Sequence, residues 1–169
     1  KMAFQYWRHL GGQHARRTSF LSLTGGYHGD TLGAVAVGGI DLFHRAFGPL
    51  LFDSHQVEPG DIVALERVLD LHGKEIAAVI VEPTGYSMGT GPLETSVLAF
   101  LRERSTATGT ILIFDEVVTG FRASEGGQAM AVGITPDLTT LAKILAGGLP
   151  GGAVVGRAEL LDQIAIPHS

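Results

Sequence analysis

The sequence has no cysteine, one tryptophan, three methionines and only three lysines, at positions 1, 74 and 143. Without cysteine there is no disulfide scaffold, no cysteine-ligated zinc finger and no thiol nucleophile. Basic residues number 12 against 17 acidic ones, a formal net charge of −5. That balance leaves no electrostatic footprint for nucleic acid as a partner. No apolar run reaches the roughly 18 residues that a membrane span needs, and Lys1 to Arg8 contain no apolar block of signal-peptide length. A soluble, cytoplasmic protein is the expectation. Repeats and low-complexity tracts are also missing.

What is present is a chain of 169 residues, 45% hydrophobic and 17% charged, enough for one domain or a piece of a larger one. Short apolar, β-branched runs at Thr18–Thr24, Ile76–Glu82, Ile111–Val118 and Ala153–Val155 read as strands. Helical periodicity fits Asp61–His72, which Gly73 stops, Leu93–Arg104, and Asp137–Ala146, which opens after Pro136. Strands that are nearly continuous in apolar residues need cover on both faces. The alternation therefore predicts an α/β fold, a mainly parallel sheet with helices on both faces. Lys1–Trp7 is already helical in pattern without an N-cap, and Glu159–Ile164 begins a helix as the chain stops. Residues 1–169 are thus expected to be an interior part of a longer protein.

Open parallel sheets bind ligands beyond the carboxyl ends of their strands. Those ends carry Gly25-Gly26-Tyr27-His28-Gly29-Asp30, Glu82-Pro83 and Asp115-Glu116. A carboxylate there needs a cation or several donors, and loop amides alone could satisfy Asp115. Lys143 lies in the least polar setting of the three lysines, Leu138 to Ala146. Desolvation favours the neutral amine, which attacks carbonyls; alternatively the stem packs on apolar surface while the ammonium reaches water. The Ile111–Glu116 run also has the shape of a Walker B strand, yet no G-x-x-x-x-G-K-[ST] loop accompanies it. His28 and Asp30 make two metal-ligand types without a third, so a hydrogen-bonded loop is the simpler reading. Gly147-Gly148-Leu149-Pro150-Gly151-Gly152 reads as a sharp turn that lets backbone approach a ligand or a neighbouring strand.

Ile111–Arg122 (ILIFDEVVTGFR), Gly133–Lys143 (GITPDLTTLAK) and Gly147–Arg157 (GGLPGGAVVGR) resemble the class-III pyridoxal-phosphate-dependent aminotransferases. This half, with Glu82–Gly89 (EPTGYSMG), is most similar to glutamate-1-semialdehyde 2,1-aminomutases. Lys1–Gly39 is more similar to adenosylmethionine-8-amino-7-oxononanoate aminotransferase. The resemblance implies part of the large domain of a fold-type I transferase that uses pyridoxal 5'-phosphate (PLP). It implies amino-group transfer from a small-molecule amino donor to an oxo acceptor, or intramolecular transfer by an aminomutase. A catalytically silent relative and a nucleoside triphosphatase are the competing classes. It further implies that Lys143 holds the cofactor as a Schiff base and moves the substrate proton. Asp115 pairs with the pyridine nitrogen, Tyr27 covers one ring face and Val117 the other. Gly26 and His28 flank the stacking residue, and Glu82 stands behind ring and substrate. Such sites form at a homodimer interface.

Three positions depart from the family pattern. Val118 stands where many members carry a Gln that reaches the cofactor's phenolic oxygen, and Ser87 where ornithine- and GABA-type members carry a Glu that gates an arginine. Asp30 stands where aminomutases usually show a second His. The resemblance puts the phosphate cup upstream of Lys1. A phosphate-binding threonine from the partner subunit, the substrate-carboxylate arginine and the small domain fall outside 1–169.

Overall fold

The computed structural model describes residues 1–40, 45–84 and 93–162. Six strands form one sheet in the order β2-β1-β3-β4-β5-β6. They are β1 (Ser19–Leu23), β2 (Ser54–Val57), β3 (Ile76–Val81), β4 (Ile111–Asp115), β5 (Leu138–Leu141) and β6 (Ala153–Gly156). The first five run parallel, and β6 returns antiparallel to β5, pairing Leu141 with Ala153. The Gly147–Gly152 turn makes that return.

Among the described residues six α-helices accompany the sheet: α1 (Met2–Leu10), α2 (Leu32–Val37), α3 (Ile62–His72), α4 (Thr95–Thr108), α5 (Gly127–Val132) and α6 (Ala158–Leu161). Alternation along each strand sorts the core into two layers. Leu21 and Leu23 of β1, Val79 and Val81 of β3, and Leu112 and Phe114 of β4 pack with Leu65 and Leu69 of α3 and Val97, Leu98 and Leu101 of α4. On the other face Ile111 and Leu138 pack with Ala3 and Trp7 of α1 and Leu160 of α6. Helices cover both faces, which is why β3 and β4 are apolar nearly throughout. Asp61 caps α3 by accepting from Ala64 N at 2.9 Å.

One expected element is different. Asp137–Ala146 is not a helix; it is β5 followed by a 3-10 turn over Lys143–Ala146. Two causes act together. Thr139 and Thr140 are β-branched and pair with Phe114 and Asp115 along the open side of β4. Asp137, expected to open that helix, instead accepts from Leu112 N at 2.8 Å while its own amide donates to Leu112 O at 2.8 Å. Strand β2 and helix α2 had no counterpart in the sequence reading. Ser87, with most of the Glu82–Gly89 motif, and the end of the Glu159–Ile164 segment lie outside the described residues. Among the described residues no helix is long and apolar enough to cross a membrane.

Candidate active site

Because β1, β3, β4 and β5 are parallel, their carboxyl ends share one edge, and the strand order reverses between β1 and β3. A crevice outside the strand ends at such a reversal is where open α/β sheets bind ligands.

The β1 end turns through Gly25 (φ 76°) and Gly26. Gly25 N donates to Gly39 O at 3.1 Å, and Gly39 N donates to Gly26 O at 2.8 Å. A Cβ on Gly39 would meet Gly25 N at 2.4 Å, so only glycine permits this contact. Gly26 is confined too, with room for a Cβ only 3.1 Å from Leu23 O and 3.3 Å from His28 Nε2. The turn delivers Tyr27, whose amide donates to Glu82 Oε1 at 2.9 Å. Glu82, buried at the end of β3, thereby ties the β1 loop to the next strand. The Tyr27 hydroxyl donates to Asp30 Oδ2 at 2.8 Å, and that hydrogen bond, with some burial and the adjacent negative charge, raises the phenol above its ordinary pKa.

Asp115 ends β4. Its Oδ1 accepts from Val117 N at 3.2 Å and from the Thr140 hydroxyl at 3.1 Å, and its Oδ2 lies 2.7 Å from His28 Nδ1. Burial pushes this carboxyl upward. The hydrogen bond and charge of His28, then the Val117 amide and Thr140, outweigh it, and the group is held below the usual carboxylate range. An ionised carboxylate only accepts, so His28 Nδ1 carries the proton of that bond. A carboxylate offers about four lone-pair positions, and three are occupied here. The remaining one can take a cationic N–H.

Glu116 has a different fate. It is buried, accepts from the Thr119 hydroxyl at 2.9 Å and from the amides of Gln128 and Ala129, and closes its own loop onto the start of α5. The Asp-Glu pair therefore does not act as a unit, which removes the physical basis of a Walker B reading. His28 and Asp30 likewise bond to different partners, Asp115 and Tyr27.

Lys143 follows β5, three residues after Thr140. Its backbone has φ 49°, and among the described residues only Phe121, φ 60°, shares positive φ without being glycine. Such conformations cost of order 1 kcal/mol or more and collect at functional sites. The expectation of a buried lysine is not met: Lys143 is exposed and, among the described residues, has no hydrogen-bond or ion-pair partner. The reason is the corrected element. A 3-10 turn leaving the sheet edge projects the side chain, whereas a helix end packed on the sheet would have buried it. Val117 is half-buried.

Hydrogen bonds and chain adjacency thus join Gly26, Tyr27 and His28 to Glu82, Asp115 and Val117, and the turn after the neighbouring strand β5 brings Lys143 to the same edge. Thr140, a direct ligand of Asp115, was missed. Its signal, a pair of threonines after Pro136-Asp137, was absorbed into a helix.

A profile of the family described as Aminotransferase class-III matches residues 1–169. The chain belongs to the class-III aminotransferases. These enzymes use pyridoxal phosphate. The chain is 42% identical over 156 residues to a glutamate-1-semialdehyde 2,1-aminomutase of Nitratidesulfovibrio vulgaris strain DP4, covering 88% of this chain and 37% of that protein. It is 39% identical to glutamate-1-semialdehyde 2,1-aminomutase 2 of Brevibacillus brevis over 159 residues, 90% of this chain and 37% of the relative. Among solved structures, adenosylmethionine-8-amino-7-oxononanoate aminotransferase from Methanocaldococcus jannaschii superposes with TM-score 0.82 at 33% identity, covering 96% of this chain and 39% of that one. An amine transaminase from an uncultivated Pseudomonas species, in its PLP-bound form, superposes with TM-score 0.83 at 34% identity, covering 96% and 41%. This aminotransferase chain spans little more than a third of the curated relatives' length.

Proposed function

We propose that residues 1–169 are part of the PLP-binding large domain of a homodimeric, cytoplasmic transaminase. The full enzyme moves an amino group between an amino compound and an oxo acid or aldehyde, with Lys143 as its covalent anchor. The observation that carries this reading is the state of Asp115. It is buried, ionised, braced by His28, Thr140 and Val117, and left with one acceptor position at the sheet edge that also bears Lys143.

The donor set fits the cofactor. Asp115 would hold the ring nitrogen, Tyr27 and Val117 would bound the ring faces, and Gly26 keeps a side chain out of the approach. Pyridoxal phosphate, when bound, supplies the electron sink that stabilises negative charge at the substrate carbon. The remaining work belongs to the chain. Asp115, held ionised, would keep a proton on the ring nitrogen because it accepts without releasing one. His28 fixes which oxygen is free. Glu82 fixes the Tyr27 backbone. Lys143 Nζ, exposed on a short turn at the same sheet edge, would be the base that takes and holds the proton of the substrate carbon.

Borohydride reduction of the full-length enzyme followed by peptide mapping tests this, with the pyridoxyl label expected on Lys143. A label on Lys74 would refute it. The names of the curated relatives favour a second reading, an intramolecular aminomutase. Asp30, in place of the His that aminomutases usually carry, weighs against it. Consumption of an added 2-oxo acid in step with the amino donor is expected from a transaminase, whereas rearrangement of glutamate-1-semialdehyde alone would establish the mutase.

A further inference from the structure

At the opposite, amino-terminal edge of the sheet lies a second cleft, of about 220 Å³, lined by Gln13, His14, Arg16, Arg17, Lys74 and Thr108. Three of these six residues are cations and none is an acid, on a chain whose net charge is −5. Among the described residues no carboxylate pairs with Arg16, Arg17 or Lys74. Glu75, the neighbouring acid, is engaged by His72 at 3.5 Å.

Arg17 forms the floor. It is buried, and its guanidinium donates to Gly73 O at 2.8 Å, Ile76 O at 2.8 Å and Thr108 O at 2.6 Å, while lying 4.5 Å over the Trp7 ring. Gly73 and Thr108 stand at the carboxyl ends of α3 and α4, where helix dipoles present negative charge. Arg17 satisfies those carbonyls and cancels the two negative ends, which leaves the cations of Arg16 and Lys74 unopposed at the opening. Burial, and then repulsion from Arg16, lower its pKa, as expected for cations crowded without a counter-ion. His14, stacked on Trp7 at 5.6 Å, holds one wall, and the exposed Arg16 and Lys74 flank the opening with donors uncommitted.

We propose that this cleft is a binding site for a compact multivalent oxyanion, the phosphoryl or diphosphoryl group of a small metabolite. A guanidinium fork and an ammonium are the donors that recognise such groups. The site lies across the sheet from Asp115 and Lys143, so occupancy is independent of the cofactor.

The test is calorimetric titration of pyrophosphate into the full-length, PLP-loaded enzyme and into its Arg16→Ala/Lys74→Ala double variant. Both residues are exposed and unbonded, so circular dichroism and kcat are expected to be unchanged. The parent is expected to bind one pyrophosphate per chain, and the variant about tenfold or more weaker, as befits the loss of two charge-assisted contacts. Absence of saturable binding in the parent, equal affinity in the variant, or binding that appears only when the cofactor is removed would each overturn the proposal.

Discussion

The two edges of the sheet handle buried charge in opposite ways. At the amino edge, Asp137 accepts from Leu112 N at 2.8 Å, Arg102 at 3.0 Å and Arg157 at 3.1 Å, and Arg17 reaches the carbonyls of three elements. At the carboxyl edge, Asp115 is held mainly by side chains and a loop amide and keeps an acceptor position. Lys143, at the same edge, sits on positive-φ backbone and has no hydrogen-bond or ion-pair partner among the described residues. Asp137 and Arg17 at the first edge staple strands and helices together, whereas Asp115 at the second keeps an acceptor position open.

The largest effect expected comes from Lys143→Ala in the full-length enzyme. Turnover should fall about 10⁴-fold, the upper range for a lost acid–base group. The circular dichroism spectrum should not move, since this side chain is exposed and bonds to none of the described residues. Next, Asp115→Asn should lower kcat by about 10²–10³-fold, the usual loss when a preorganised electrostatic partner is removed.

The same substitution should flatten the acid limb of stability. The folded pKa of Asp115 lies below its unfolded value, so its stabilisation is complete above the ordinary carboxylate range. It is lost as pH falls through the folded pKa, below about pH 4. Urea unfolding at a series of pH values would read this; an unchanged acid limb in Asp115→Asn would contradict the assignment.

Asp137→Ala should do the reverse of Lys143→Ala. Stripping a buried acceptor from one backbone amide and two arginines should cost about 2–4 kcal/mol of stability, with kcat per folded molecule unchanged. A denaturant midpoint that stays in place would blur the distinction between the edges. Thr140→Val, which removes one of three donors to Asp115, should be the mildest, with an effect of about 1 kcal/mol on kcat and little on the midpoint.

Sequence pattern alone exposed the carboxyl edge well, because an apolar strand that ends in Asp115 announces a buried acid. The same held for Ile76–Val81, a continuous apolar run, and for α3, whose 3.6-residue period is unambiguous. Lys143 was recognisable, but its setting was not. Leu138 to Ala146 has enough apolar residues for either period, and only pairing with Phe114 and Asp115 decides for a strand. The amino edge was opaque throughout. Arg17 was given no role and Asp137 only opened an expected helix, because their partners lie on distant elements and several are main-chain groups, which carry no side-chain signature. Edge strand β2, with Ser54, His55 and Gln56, lacks the hydrophobicity that would betray it.

The reach of Arg17 has a consequence for the order of folding. Its three carbonyl partners lie 56, 59 and 91 residues away along the chain, whereas Glu116 closes its loop over 3, 12 and 13 residues. Closing long loops must precede any reward from the contacts they permit. The Glu116 loop can therefore form early and by itself, but Arg17 engages only once α3, β3 and α4 have assembled. In stopped-flow measurements Arg17→Met should steepen escape from the native state and leave the refolding rate nearly untouched. Arg17 works as a latch that closes last.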